Sequence, residues 1–223
     1  VTEKIVPFMV LIYMVGTIAI LVKNFAMIPA VFTAIFEGAF ALKAAGGGIV
    51  GYGIKLAIEQ GMKRGVFSNE AGLGSSVMVH SNSNVREPVR QGMWGIFEVF
   101  ADTMVVCTLT AFTVLSSGLI DLDTGIAVTE YAGVELTKAN LVSTVFTMNF
   151  GWLGGAFVAI AIVLFADSTV LGWSHYGSKA CEYLFGAKAT KVYRIIFVLA
   201  TFGGAVMGEN LAWDIADTLN GMM

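Results

Sequence analysis

Ser68, Asn69 and Glu70 stand in a row within RGVFSNEAGLGS, and Gly72 and Gly74 follow directly. A hydroxyl, an amide and a carboxylate beside glycine backbone suit the binding of a zwitterion or a small cation. Each glycine costs a helix roughly 1 kcal/mol against alanine, so the pair favours a break. Inside a membrane, freed amides and carbonyls persist only where protein or a polar cavity satisfies them. Half-helix termini add partial charges at the same spot. A second glycine-rich stretch, AAGGG at 44–48, lacks such polar side chains. The plainer reading of either stretch is a kink, a surface loop or close packing through small residues.

FADSTVLGWSHYG, 165–177, is the second group. Ser168 and Thr169 place adjacent hydroxyls in an otherwise apolar segment, suited to a small cation or a polar substrate. Trp173 lies four residues after Thr169 and shares its helical face, where a large ring can wall a pocket. Equally, both hydroxyls can bond back to carbonyls one turn earlier while Trp173 anchors at the interface. Acids in apolar segments form the third group. Glu98 and Asp102 are four apart, and Asp167 adjoins Ser168. At membrane depth such acids face a bundle interior or a water-filled path. Structural hydrogen bonding suits Glu98 best, while Asp102 and Asp167 stay open between structure, gating and proton relay.

Other chemistry finds no support. His80 and His175 have no partners at ligand spacing, Cys107 and Cys181 read as small buried hydrophobes, and Ser68 lacks a G-x-S-x-G context. With a net charge of −3 there is no basic footprint for nucleic acid.

The elements that must position these residues are membrane spans. Hydrophobic residues make up 57% of the 223 and charged residues 13%, about half the share usual in soluble domains. Val6–Val22, Thr103–Ile120 and Trp152–Ala166 carry no charge. Runs of this kind read as transmembrane helices, so the expectation is an all-α polytopic membrane protein forming a single transmembrane domain. Spans are expected at 5–22, 92–117, 151–176 and 192–207, with another starting over 211–223. Between 27 and 80 two registers compete. In one, Met27–Met62 crosses and breaks at 44–48, enclosing Glu37, Lys43, Lys55 and Glu59. In the other, 27–42 is an outer helix and 49–80 crosses, broken at 67–74 and enclosing Lys55, Glu59, Lys63, Arg64 and Glu70. Charge cost does not separate them. The opening on Val1 and the ending NGMM suggest a piece of a longer chain.

Loop charge sets the orientation. Arg86 and Arg90 lie in 81–91, and Lys179, Lys188, Lys191 and Arg194 in 177–194. Between these, 119–140 holds Asp121, Asp123, Glu130 and Glu135 against Lys138 alone. The basic loops are expected in the cytoplasm and the acidic one outside. Within it, apolar residues at near-helical spacing over Glu135–Phe150 predict a short surface helix.

RGVFSNEAGLGS, then Pro88-x-x-Gln91-Gly92 and EVFADTMVVCTLTAF, resembles the alanine/glycine:cation symporters, also called sodium:alanine symporters. FADSTVLGWSHYG, EYLFG at 182–186 and WDIADTLNGMM at 213–223 extend the resemblance over essentially the whole chain. It implies a LeuT-like fold of two inverted repeats, of which this chain is a fragment from helix five to the start of helix ten. Phe67, Ser68, Gly72 and Gly74 look like the unwound middle of helix six, which favours the break at 67–74. The resemblance assigns Ser68, Asn69, Glu70, Gly72, Thr169 and Trp173 to the amino-acid substrate. It assigns Ser168 and Thr169 to sodium, and leaves Arg64, Gly74 and Asp102 as gating or structural residues. Asp167 and His175 depart from the family pattern, where an apolar residue and Tyr are usual.

The expected function is sodium-coupled import of alanine or glycine across a bacterial or archaeal cytoplasmic membrane, with no enzymatic activity and no cofactor beyond the coupling ion. The expected partners are the amino acid, sodium, the lipid bilayer and the missing N-terminal half. Proton coupling through Asp167 and a truncated, non-transporting fragment are the alternatives.

Overall fold

The computed structural model describes residues 4–40, 70, 72–137 and 140–221. Among these, α1 (Ile5–Lys23), a 3-10 turn (Phe25–Met27) and α2 (Ile28–Phe40) come first. After them follow α3 (Val77–His80), α4 (Pro88–Val99), a π-helical stretch (Phe100–Val106) and α5 (Cys107–Leu115). A small hairpin, β1 (Glu130–Tyr131) and β2 (Val134–Glu135), precedes α6 (Leu141–Phe150), α7 (Trp152–Phe185), α8 (Ala189–Val206) and α9 (Glu209–Gly221). Four stretches are long and apolar enough to cross a bilayer: Ile5–Lys23, Pro88–Leu115, Trp152–Phe185 and Ala189–Val206. The architecture is that of an all-α polytopic membrane protein. Residues 41–69 lie outside the described set, and with them the choice between breaks at 44–48 and 67–74.

The helices divide into two units. The first takes the described residues within Val1–Met62 and Ile96–Phe165. Its core is Tyr13 and Ile20 of α1, Val114 of α5, Leu119, Val145 and Phe146 of α6, and Val158 of α7. Tyr13 stacks on Phe146 with centroids 5.5 Å apart and planes 9° from parallel. Its phenol also shares a 2.8 Å hydrogen bond with the Thr110 hydroxyl. A Cβ at Gly16 would lie 2.9 Å from the Phe146 ring, so glycine is what lets that ring approach α1. Thr113 is fully buried, and its hydroxyl returns to the Leu109 carbonyl at 2.7 Å. That bond removes the penalty of an unpaired polar group among apolar neighbours.

The second unit takes the described residues within Lys63–Gly95 and Ala166–Met223. Here α7 and α8 meet at Gly177, where the Tyr193 ring occupies the space a side chain would need. Ser178, the next residue, is buried at 7% exposure.

Local structure departs from the sequence pattern in three places. α7 runs to Phe185 instead of stopping near 176, because the polar stretch after His175 remains helix-competent. A Lys179–Glu182 pair at 3.2 Å spans one turn, and Gly186, with φ +81°, ends the helix. At 34 residues α7 is about 50 Å long, well beyond a hydrocarbon core of about 30 Å. The surface helix starts at Leu141, since Val134 and Glu135 pair with Tyr131 and Glu130 in the hairpin. Its turn carries Ala132 at φ +51° and Gly133 at φ +81°, the primed geometry that matches strand twist. The third departure is the π-helical stretch over Phe100–Val106, where the Cys107 N–H reaches back to the Asp102 carbonyl.

Candidate functional site

Glu70 is the node of the best-defined polar group. The Leu73 N–H donates to its backbone carbonyl at 3.1 Å, closing a four-residue turn with Gly72 in third place. Gly72 holds φ +85° and Gly74 φ +80°, conformations that a side chain resists. The chain thereby folds back far enough for the Ser75 hydroxyl to donate to Glu70 Oε2 at 2.8 Å. Helix resumes at α3, whose first bonds run from Val79 and His80 N–H to the Ser76 carbonyl.

The other carboxylate oxygen reaches α7. Trp173 Nε1 donates to Glu70 Oε1 at 3.2 Å, joining the FSNEAGLG and FADSTVLGW segments. Trp173 stays 56% exposed, with its Nε1 edge held by Glu70. Thr169 lies one turn earlier on α7, with Ser168 and Asp167 beside it. The structure thus brings together Glu70, Gly72 and Trp173, and places Thr169 on the same helix. Ser68, Asn69 and Arg64 lie outside the described residues. Asp102 belongs to the first unit, exposed within the π-helical stretch.

Ser75 was missed by sequence reasoning. Its signal is the E-x-G-x-G-S order, because two glycines in the left-handed region reverse the chain and return a hydroxyl to the acid. A second polar group was missed as well. A cavity of about 520 Å³ is lined by Ser76, His80, Ser83, Pro88, Gln91 and Gly95, among others. Gln91 Nε2 donates to His80 Nδ1 at 2.7 Å, which leaves the ring proton of a neutral imidazole on Nε2. Beyond α3, Asn82 makes a long 3.5 Å contact with His175 of α7.

Among the described residues no three His, Cys, Asp or Glu side chains gather to hold a metal ion. What the Glu70 group offers is hydroxyl, carboxylate, indole and turn backbone, a set for binding and orientation. Four span-length apolar helices, with a reversed glycine turn pinned to the longest, define a polytopic α-helical membrane protein. More particularly, the profile of the sodium:alanine symporter family matches residues 1–223, and the chain belongs to that family.

Its relatives include the sodium/alanine symporter AgcS of Methanococcus maripaludis, 42% identical over all of this chain and 46% of its own length. The putative sodium/proton-dependent alanine carrier YrbD of Bacillus subtilis is 35% identical, over 99% of this chain and 46% of its own. The probable sodium/glutamine symporter GlnT of Bacillus subtilis is 34% identical, over 99% and 43%. The chain therefore spans about half the length of the curated relatives it matches. Membership and the four apolar helices make it a multi-pass protein of the cytoplasmic membrane.

Proposed function

We propose that the chain is the second half of a symporter that imports a small neutral amino acid, alanine or glycine, together with sodium. The observation that carries this reading is the Trp173–Glu70 hydrogen bond, which draws a glycine-broken segment and a hydroxyl-bearing helix into one polar group. Family membership supports it, as do relatives named for sodium and alanine. The protein is a transporter, not an enzyme, built as the helix-five to helix-ten portion of a LeuT-like inverted repeat. The N-terminal half supplies the rest, in keeping with the 46% share of the AgcS length.

In this reading Ser68, Asn69, Glu70 and Gly72 form the substrate side of the break, with Thr169 and Trp173 facing them from α7. Ser168 and Thr169 offer the hard oxygen ligands that sodium prefers. Bound sodium stabilises the outward-open state, and rocking of one helix bundle against the other releases the amino acid inside. Arg64, Gly74 and Asp102 serve gating or structure. The test is uptake of labelled alanine, glycine and glutamine by the full-length protein, with and without sodium. No uptake of any of them, or uptake indifferent to sodium, removes this reading.

Proton coupling is a second reading, favoured by Asp167 beside Ser168 and by the printed description of YrbD as sodium/proton-dependent. Uptake driven by a pH gradient without sodium, and lost in Asp167→Asn, supports it.

A further inference from the structure

We propose that Glu70 is a positioning residue for Trp173, fixing the indole ring that faces the substrate. This deepens the transport reading above and rests on it. Both carboxylate oxygens of Glu70 are engaged by the protein, Oε1 by the Trp173 indole at 3.2 Å and Oε2 by the Ser75 hydroxyl at 2.8 Å. Its backbone carbonyl is engaged as well, by the Leu73 N–H at 3.1 Å. Two of the side chain's acceptor sites are thus held by the protein, which makes it a strut between the turn and α7.

The surroundings need one. Among the described residues, a Cβ at Gly72 or Gly74 would meet nothing within 4 Å, so no described neighbour packs against the turn at these two positions. Half-exposed Trp173 has a ring that swings about two side-chain torsions unless its N–H is tethered. Glu70 locks both at once: it closes the turn through Ser75 and sets the indole through Oε1. Once tethered, the ring presents a fixed wall, and a wall fixed in advance costs the substrate less ordering on binding.

Glu70→Ala removes both links, because alanine offers no side-chain acceptor, whereas a glutamine oxygen could still accept the indole N–H while its nitrogen donates to the Ser75 oxygen. Trp173→Phe removes the same tether from the other side while keeping an aromatic ring.

The experiment is a double-mutant cycle on the full-length protein in proteoliposomes, reading alanine uptake. Glu70→Ala and Trp173→Phe should each raise KM about tenfold. Maximal rate and sodium half-saturation should stay unchanged, and the double variant should be no worse than either single one. Effects that multiply to about a hundredfold, or a KM unmoved in both single variants, overturn the proposal. A second readout does not need transport: the Trp173 indole N–H resonance should shift in Glu70→Ala, and an unmoved resonance overturns the tether. Wild-type protein that transports no amino acid sinks the transport reading instead, and the resonance still decides the role of Glu70.

Discussion

Tyr13 lies flat on Phe146, 5.5 Å between centroids, and this stack fastens the short helix α6 to α1. Phe146 is 2% exposed and touches Phe150 and Phe157 as well, so it is the keystone of the first unit. Phe146→Ala should cost about 3 kcal/mol, through lost contacts and the cavity left behind. Phe150→Ala, at a ring 44% exposed, should cost far less. Thermal unfolding in detergent compares the two, and equal shifts would contradict the packing described.

Gly72 is needed for its backbone, not for room. With φ +85° and no described atom within 4 Å of a built Cβ, the cost of a side chain there is conformational, roughly 1–2 kcal/mol. Gly72→Ala should therefore impair uptake more than Gly72→Asn, because Asn tolerates the left-handed region better. The reverse order would point to a steric role.

Thr169 sits one turn before Trp173 on α7. Thr169→Ala should weaken uptake or raise the sodium concentration that supports it, whereas Thr169→Ser should retain most of both. Substrate and sodium dependence identical to wild type in Thr169→Ala would take the residue out of both sites.

The loop after α5 carries a built-in acid sensitivity. The Thr124 hydroxyl at 2.8 Å and the Asp123 N–H at 3.0 Å hold the Asp121 carboxyl below the usual carboxylate range. A depressed folded pKa means that this contribution is complete above the unfolded value near 3.9 and fades as pH falls through the folded one. Amide exchange at Asp123 and Gly125 should thus quicken only in strongly acidic solution, and Asp121→Asn should shift or abolish that dependence. Protection constant down to pH 2 would refute it.

Apolar segments of span length were legible because hydrocarbon admits few charges and demands closed backbone bonding, which helices alone meet locally. Ile5–Lys23 and Ala189–Val206 follow from composition for that reason. The polar end of α7 was not legible, since a helix beyond the bilayer needs only propensity and an i,i+3 pair such as Lys179–Glu182. Nor was the π-helical stretch, because Phe100–Val106 has no residue that forbids ordinary α-helix.

The sequence by itself permitted a turn at Gly72 and Gly74, with a second candidate at 44–48, and placed Thr169 and Trp173 on one helical face. Both follow from local backbone freedom and helical period. Only the tertiary structure decided that Glu70 meets Trp173, 103 positions further along, and that Ser75 completes the carboxylate. A hydrogen bond between distant segments depends on how helices pack, and neither spacing nor residue type encodes that distance.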